Sequence, residues 1–175
     1  MPAAGRRLAC CVRPQVSATP TVDSLIARLG AYGITLPSGP VRADGYGDSA
    51  ELSRELLSLI RTGRKRAGTG LLWGYEHDGE HIAKAGDIEI VLDHLREPAL
   101  VTRIISSEVV PYCKVTAEYA AIEGEGDGSL EYWRKAHWAF FSRECKRIGR
   151  EPTEFMPVIC NIFEVLHVVP SQSGP

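Results

Sequence analysis

Apolar positions recur at helical spacing in three stretches of the chain and alternate with polar ones in several shorter stretches. Leu130, Trp133, His137, Phe140, Phe141 and Cys145 fall three and four residues apart, which is one apolar face of a helix ending near Gly149. Either Ser129 or Asp127 caps it, because a side-chain oxygen there accepts the orphan amides of the first turn. Leu52, Leu56, Leu59 and Ile60 line a second helix, with Ser49 or Asp48 as its cap and Gly63 as its stop. Residues 22–29 suit a short helix closed by Gly30 or Gly33, and the proline-bearing 36–40 breaks it. Strands are expected over 70–75, 87–93, 99–106, 109–113 and 157–169. In the second of these, Ile88, Ile90 and Leu92 alternate with Asp87, Glu89, Val91 and Asp93, a half-buried pattern. Turn signals lie at 44–48, Asp78-Gly79 and 84–86. Helices set among short strands, without a β-α-β rhythm, give an α+β fold: a small β-barrel with helices packed at its rim.

Composition narrows the classes. The 175 residues suit one domain over 21–170, flanked by tails at 1–20 and 171–175. A net charge of -2 excludes a chain that binds nucleic acid by its overall field, and leaves room for a local basic patch. That patch is Arg61, Arg64, Lys65 and Arg66, at the end of the second helix where cations complement the dipole. The cysteines are Cys10, Cys11, Cys113, Cys145 and Cys160, with no C-x-x-C pair, so reduced thiols in a cytoplasmic protein are expected. Residues 8–12 are too short for a signal-peptide core, and no apolar run approaches the roughly 18 residues that cross a bilayer. No membrane partner is expected.

Two stretches carry candidate chemistry. In Glu123-Gly-Glu-Gly-Asp-Gly-Ser129, three acids alternate with three glycines just before the long helix. On an extended backbone Glu123, Glu125 and Asp127 would share one side. They then either hold Mg2+ or Mn2+ through hard oxygens or divide acid and base roles; otherwise one caps the helix and two are solvated. No cofactor is required by the sequence. Lys65 is either a surface lysine, a point charge for phosphate, or a base whose pKa is depressed by burial and by Arg64 and Arg66. Trp73, Tyr75 and Trp133 offer faces for stacking on bases, with core packing the alternative for Trp133. His77 and His81 bracket an Asp-Gly turn, which disfavours a helical metal pair, and His137 belongs to the packed stripe of its helix.

The block Glu-Gly-Glu-Gly-Asp-x-Ser-Leu-x-Tyr-Trp-Arg-x-x-His from Glu123, behind Gly63-x-Lys-Arg-Ala67, resembles the ASCH family over about 45–169. The resemblance implies a PUA-like β-barrel whose partner is RNA or a modified nucleoside. Small members carry Lys-x-x-Thr and a later glutamate as a catalytic set that hydrolyses the N4-acyl amide of modified cytidines. Threonine is the proposed nucleophile there, activated by the lysine. In this chain the third position after Lys65 is Gly68, and the threonine comes one later, at Thr69. On a strand that displacement turns a side chain to the opposite face, unless a glycine bulge absorbs it. Glu125 sits closest to the catalytic glutamate of the small members, and Ser129 corresponds to a position implicated in ribonuclease activity in larger ones.

The leading expectation is an RNA-binding protein with ribonuclease activity on single-stranded RNA. Arg64, Lys65 and Arg66 would hold the backbone, with Lys65 stabilising charge on phosphorus. Trp73 or Tyr75 would stack on a base, while Glu125 and Asp127, with or without a divalent ion, assist proton transfer. The alternatives are an N4-acylcytidine amidohydrolase using Lys65, Thr69 and Glu125, and a non-catalytic RNA-binding module. Both enzymatic readings require the bend near residue 65 and the bend near residue 125 to meet across one cleft.

Overall fold

The computed structural model describes residues 20–47 and 49–170. The tail expected over 1–20 (apart from Pro20), its Cys10-Cys11 pair, the Asp48 cap and the tail at 171–175 lie outside the described residues. Five strands form one sheet in the order β1-β3-β4-β5-β2. They are β1 (Val41–Gly45), β2 (Ala67–Leu71), β3 (Ile88–Leu92), β4 (Pro98–Pro111) and β5 (Pro157–Val168). β1 runs parallel to β3, and every other pair is antiparallel. The β4–β5 ladder is the spine, and its register shifts at Val101/Thr102 and at Ile104/Ser106. Each shift bends the strand and adds twist, so the sheet curls into a half-barrel.

Five helices close over it: α1 (Val22–Ala31), α2 (Ala50–Arg61), α3 (Leu72–Asp78), α4 (Ala117–Glu123) and α5 (Leu130–Arg147). Thr21, Ser49, Thr116 and Ser129 cap α1, α2, α4 and α5 through their side-chain oxygens. α1 buries Leu25 and Leu29 against Ile88, Ile90 and Leu92 of β3. On the other side of that strand, α2 packs Leu57 and Ile60 with Val91, Leu100, Ile104 and Phe163. β3 is therefore buried on both faces. α5 packs Trp133, Phe141 and Cys145 against Leu71, Tyr112, Met156 and Val158, a separate core beside the sheet. No helix among the described residues is long and apolar enough to cross a membrane.

Four expectations change. The strand expected over 70–75 is the end of β2 followed by α3, so Trp73 and Tyr75 stand on a helix. The turn at 44–48 begins as β1, whose pairing with β3 outweighs its turn-like composition. The strands expected over 99–106 and 109–113 are one strand, β4, continuous through the shift at Ile104/Ser106. α4 was not expected, and it carries Glu123 as its last residue.

Candidate active site

Two bends with left-handed glycines come together beside β2. Gly63 ends the turn after α2, and Gly124, at φ 68°, ends α4. The Arg66 amide donates to the Ile122 carbonyl at 3.0 Å, and the Arg64 guanidinium donates to the Gly126 carbonyl. The approach is so close that a Cβ on Gly124 would overlap the Arg64 carbonyl oxygen. This contact turns Lys65 inward between the carboxylates.

The Lys65 ammonium is 1 % exposed and donates to Glu123 Oε1 at 3.1 Å and Glu125 Oε1 at 2.7 Å. Its third N–H has no acceptor among the described residues, and the Tyr46 ring centroid lies 5.4 Å away. Glu123 Oε2 accepts from the Thr69 hydroxyl at 2.7 Å and from the Trp133 indole at 2.5 Å. His137 Nε2 stands 3.5 Å from Glu123 Oε1, while its Nδ1–H donates to the Trp133 carbonyl at 3.0 Å. Burial pulls the Lys65 ammonium down, but Glu123 and Glu125 outweigh it and hold the pKa above the ordinary value. Lys65 is thus a held charge rather than a base, and of its three sequence readings neither the surface lysine nor the depressed base applies: Arg64 and Arg66 are exposed and Lys65 alone faces inward. Burial raises Glu123, yet Lys65, His137 and the hydrogen bonds hold its carboxyl well below the usual range.

The cluster borders a cleft of about 640 Å³ that opens between the two edge strands, β1 and β2. Tyr46, Tyr75, Tyr132 and Phe140 wall it, and Gly68 and Gly70 let the Tyr46 and Tyr75 rings lie close on β2. A Cβ at Gly68 would stand 3.0 Å from the Tyr46 ring, and one at Gly70 2.6 Å from the Tyr75 ring. A threonine at position 68 would thus press on the Tyr46 ring, which would have to shift by a few tenths of an ångström. β2 pairs with β5 without a bulge, so Thr69 does face away from Gly68. The side it faces holds Glu123 and the Tyr119 hydroxyl, which lies 3.1 Å from Thr69 Oγ1 and donates to the Gly68 carbonyl at 2.9 Å.

A second polar group lines the same cleft. Arg42 donates from Nη2 to Glu89 Oε1 at 3.1 Å, and Glu89 is 2 % exposed. Thr102, its cross-strand neighbour, lies beside the carboxyl, yet neither Thr102 Oγ1 nor Glu89 Oε2 has a hydrogen-bond partner, and nor do Arg42 Nε or Asn161 Oδ1. Burial pushes Glu89 up to about 7, with Arg42 pulling against it and Asp44 adding to the rise. The fold therefore favours protonated Glu89: that contribution is complete below its ordinary value of 4.5 and is lost as pH rises through about 7. Urea unfolding should show Glu89→Gln gaining about 3 kcal/mol on the wild type between about pH 5 and 7, at about 1.4 kcal/mol per pH unit, and little more above that. A difference that stays constant over that range would contradict the assignment.

Of the residues singled out by sequence, the structure joins Lys65, Thr69, Glu123 and Glu125. Asp127 is exposed and accepts from the Ser129 amide at 2.8 Å, so the expected carboxylate triad is not assembled. Glu123 ends a helix and the glycines after it have positive φ, so the segment is not extended and its acids diverge. His137 takes the third place: ligand atoms of Glu123, Glu125 and His137 lie within 4.8 Å of one another. The residues present do not suit Mg2+ or Mn2+, because the Lys65 ammonium already bonds both carboxylates. Ser129 Oγ accepts from the Tyr132 amide as the α5 cap and is not part of the cleft lining. Arg66 borders a different, apolar hollow with Ile105 and Ile122. Trp133 is buried and stacked on His137 at 4.3 Å, so it offers no face to a base. Trp73 lies under the Arg150 guanidinium at 4.6 Å, away from the cleft, and of the three proposed stacking residues only Tyr75 lines it. Sequence reasoning missed Arg42, Tyr46, Glu89 and Tyr119. One acid inside the apolar run of β3 was the available signal for Glu89.

The ASCH domain family model matches residues 42–167. Among solved structures, the chain is similar to an ASCH domain from Lactobacillus crispatus JV V101, at 34% identity and a TM-score of 0.68, over 72% of this chain and 79% of that one. It is also similar to a protein from Enterococcus faecalis V583, at 29% identity and a TM-score of 0.68, over 81% of this chain and 85% of that one. No curated protein matches.

Proposed function

The chain belongs to the ASCH domain family, which is generally linked to RNA binding, and from that premise we propose that it is a hydrolase removing an acyl group from the exocyclic nitrogen of a modified cytosine, in RNA or as the free nucleoside. One observation carries this reading: the Thr69 hydroxyl donates to Glu123 at 2.7 Å beside a buried, charged Lys65, at the edge of a cleft large enough for a base. Charge favours it over phosphodiester cleavage. Carboxylates outnumber cations along the cleft wall, with Asp44, Asp78, Glu80 and Glu144 adding to Glu123 and Glu125, which repels a phosphate and tolerates a neutral base.

In the proposed reaction Thr69 Oγ1 attacks the acyl carbon and its proton passes to Glu123 Oε2. The free N–H of Lys65 stabilises the oxyanion. Because Glu123 holds a proton weakly, it hands it to the departing amino nitrogen as the C–N bond breaks. Water then cleaves the acyl-threonine ester, protonating Thr69 and releasing the carboxylic acid. The cation between the carboxylates is Lys65, so EDTA should leave the rate unchanged.

Incubation with N4-acetylcytidine should release acetate, and Thr69→Val should slow release by at least ~100-fold, the scale of losing a positioned nucleophile and its proton relay. Cleavage of labelled single-stranded RNA without acetate release would replace this reading with a ribonuclease. RNA binding with neither product would replace it with a non-catalytic module.

A further inference from the structure

We propose that Arg42 and Glu89 form a base-reading subsite in the same cleft, which takes the edge of a neutral pyrimidine that presents an N–H donor beside a ring or carbonyl acceptor. Glu89 is the one charged residue in β3, and it is fixed between Arg42 on β1 and Thr102 on β4 by register. One of its oxygens is bonded to Arg42 and the other has no partner, and the neighbouring Arg42 Nε–H has none either. A buried acceptor and a buried donor without partners, on two bonded residues that line a cavity, are unusual, since folds satisfy such groups or reserve them for a ligand. Their pattern is complementary to the donor–acceptor edge shared by uracil and cytosine.

The surroundings select the same class. Asp44 lines the cleft beside Arg42 and balances its charge whichever form Glu89 takes, so an anionic ligand gains nothing there. Tyr46 and Tyr75, seated on β2 at Gly68 and Gly70, bring aromatic rings to the cleft wall. Burial pushes both phenols up, Tyr75 to about 12, so both remain neutral. Tyr46 also borders Lys65, at 5.4 Å, so a base stacked on it touches both polar groups of the cleft. This assignment rests on the proposed function only for which base is held. Its binding test does not depend on turnover.

The test is binding to the full chain, followed by nuclear magnetic resonance titration with uridine, 3-methyluridine and cytidine. Uridine and cytidine should bind saturably, and 3-methyluridine, which keeps the ring but lacks the N3–H, should bind at least ~10-fold more weakly. Glu89→Gln and Arg42→Lys should each weaken uridine binding by about 10-fold, and Glu89→Gln should leave 3-methyluridine unchanged because that ligand has no N3–H to offer. The wild-type comparison stands even if a variant does not fold. Equal affinity for uridine and 3-methyluridine, or no binding of either, would overturn the subsite and assign the open atoms to water. Nucleoside discrimination without acetate release from N4-acetylcytidine would uphold the subsite and reject only the hydrolase.

Discussion

Lys65→Met is expected to lower acetate release by at least ~10³-fold and to destabilise the protein by about 3–5 kcal/mol near neutral pH. Methionine fills similar space, but leaves Glu123, 1 % exposed, and Glu125, 19 % exposed, facing one another without their cation. The penalty depends on pH in a defined direction. In the wild type the Glu123 carboxyl is depressed, so its contribution is present above 4.5 and lost as pH falls. Without Lys65 burial dominates and the carboxyl titrates higher, so the variant's deficit is largest near neutrality and shrinks toward about pH 5. Adding Glu123→Gln should restore much of the stability and none of the activity. Urea unfolding and acetate release measure the two effects separately. A Lys65→Met protein as stable as the wild type near neutral pH would contradict the buried ion cluster.

Gly124→Ala is expected to cost about 3 kcal/mol, from left-handed backbone strain and from overlap with the Arg64 carbonyl. Gly128→Ala is the matched control: its φ of 78° is similar, yet nothing lies within 4 Å of the added carbon. It should cost only about 1 kcal/mol. Because the overlap pushes the two bends apart, Gly124→Ala should also lose activity, whereas Gly128→Ala should keep it. Equal urea midpoints for the two variants would mean that the contact between the bends does not hold the site together.

Helices α1, α2 and α5 were legible because each buries a stripe at its own period, and the caps Ser49 and Ser129 are local chemistry. The strand boundaries near 70 were not. Gly70 and Leu71 suit a strand and Trp73 and Tyr75 do as well, and only the Tyr75 ring against Gly70 shows why the chain turns into α3 there. The acidic block was identified as chemistry, but its geometry required α4, whose final residue is the first of the three acids. Likewise His137 reads as packing from its position on the stripe. It does pack on Trp133, and the same placement brings its Nε2 to Glu123. Arg42 and Glu89 stand far apart in sequence, and only the parallel β1–β3 pairing makes them neighbours.

The sheet order has a kinetic consequence. β2 finds its partner only in β5, with Ala67 opposite Ile162 and Leu71 opposite Val158, so the wall that carries Thr69 cannot be zipped until the C-terminal strand is available. Loop closure over so long a span is slow. A chain stalled before residue 157 during synthesis would therefore have α2 and the β3–β4 hairpin available to form while Lys65 was still in water, and dehydration of that ammonium would be among the last events of folding.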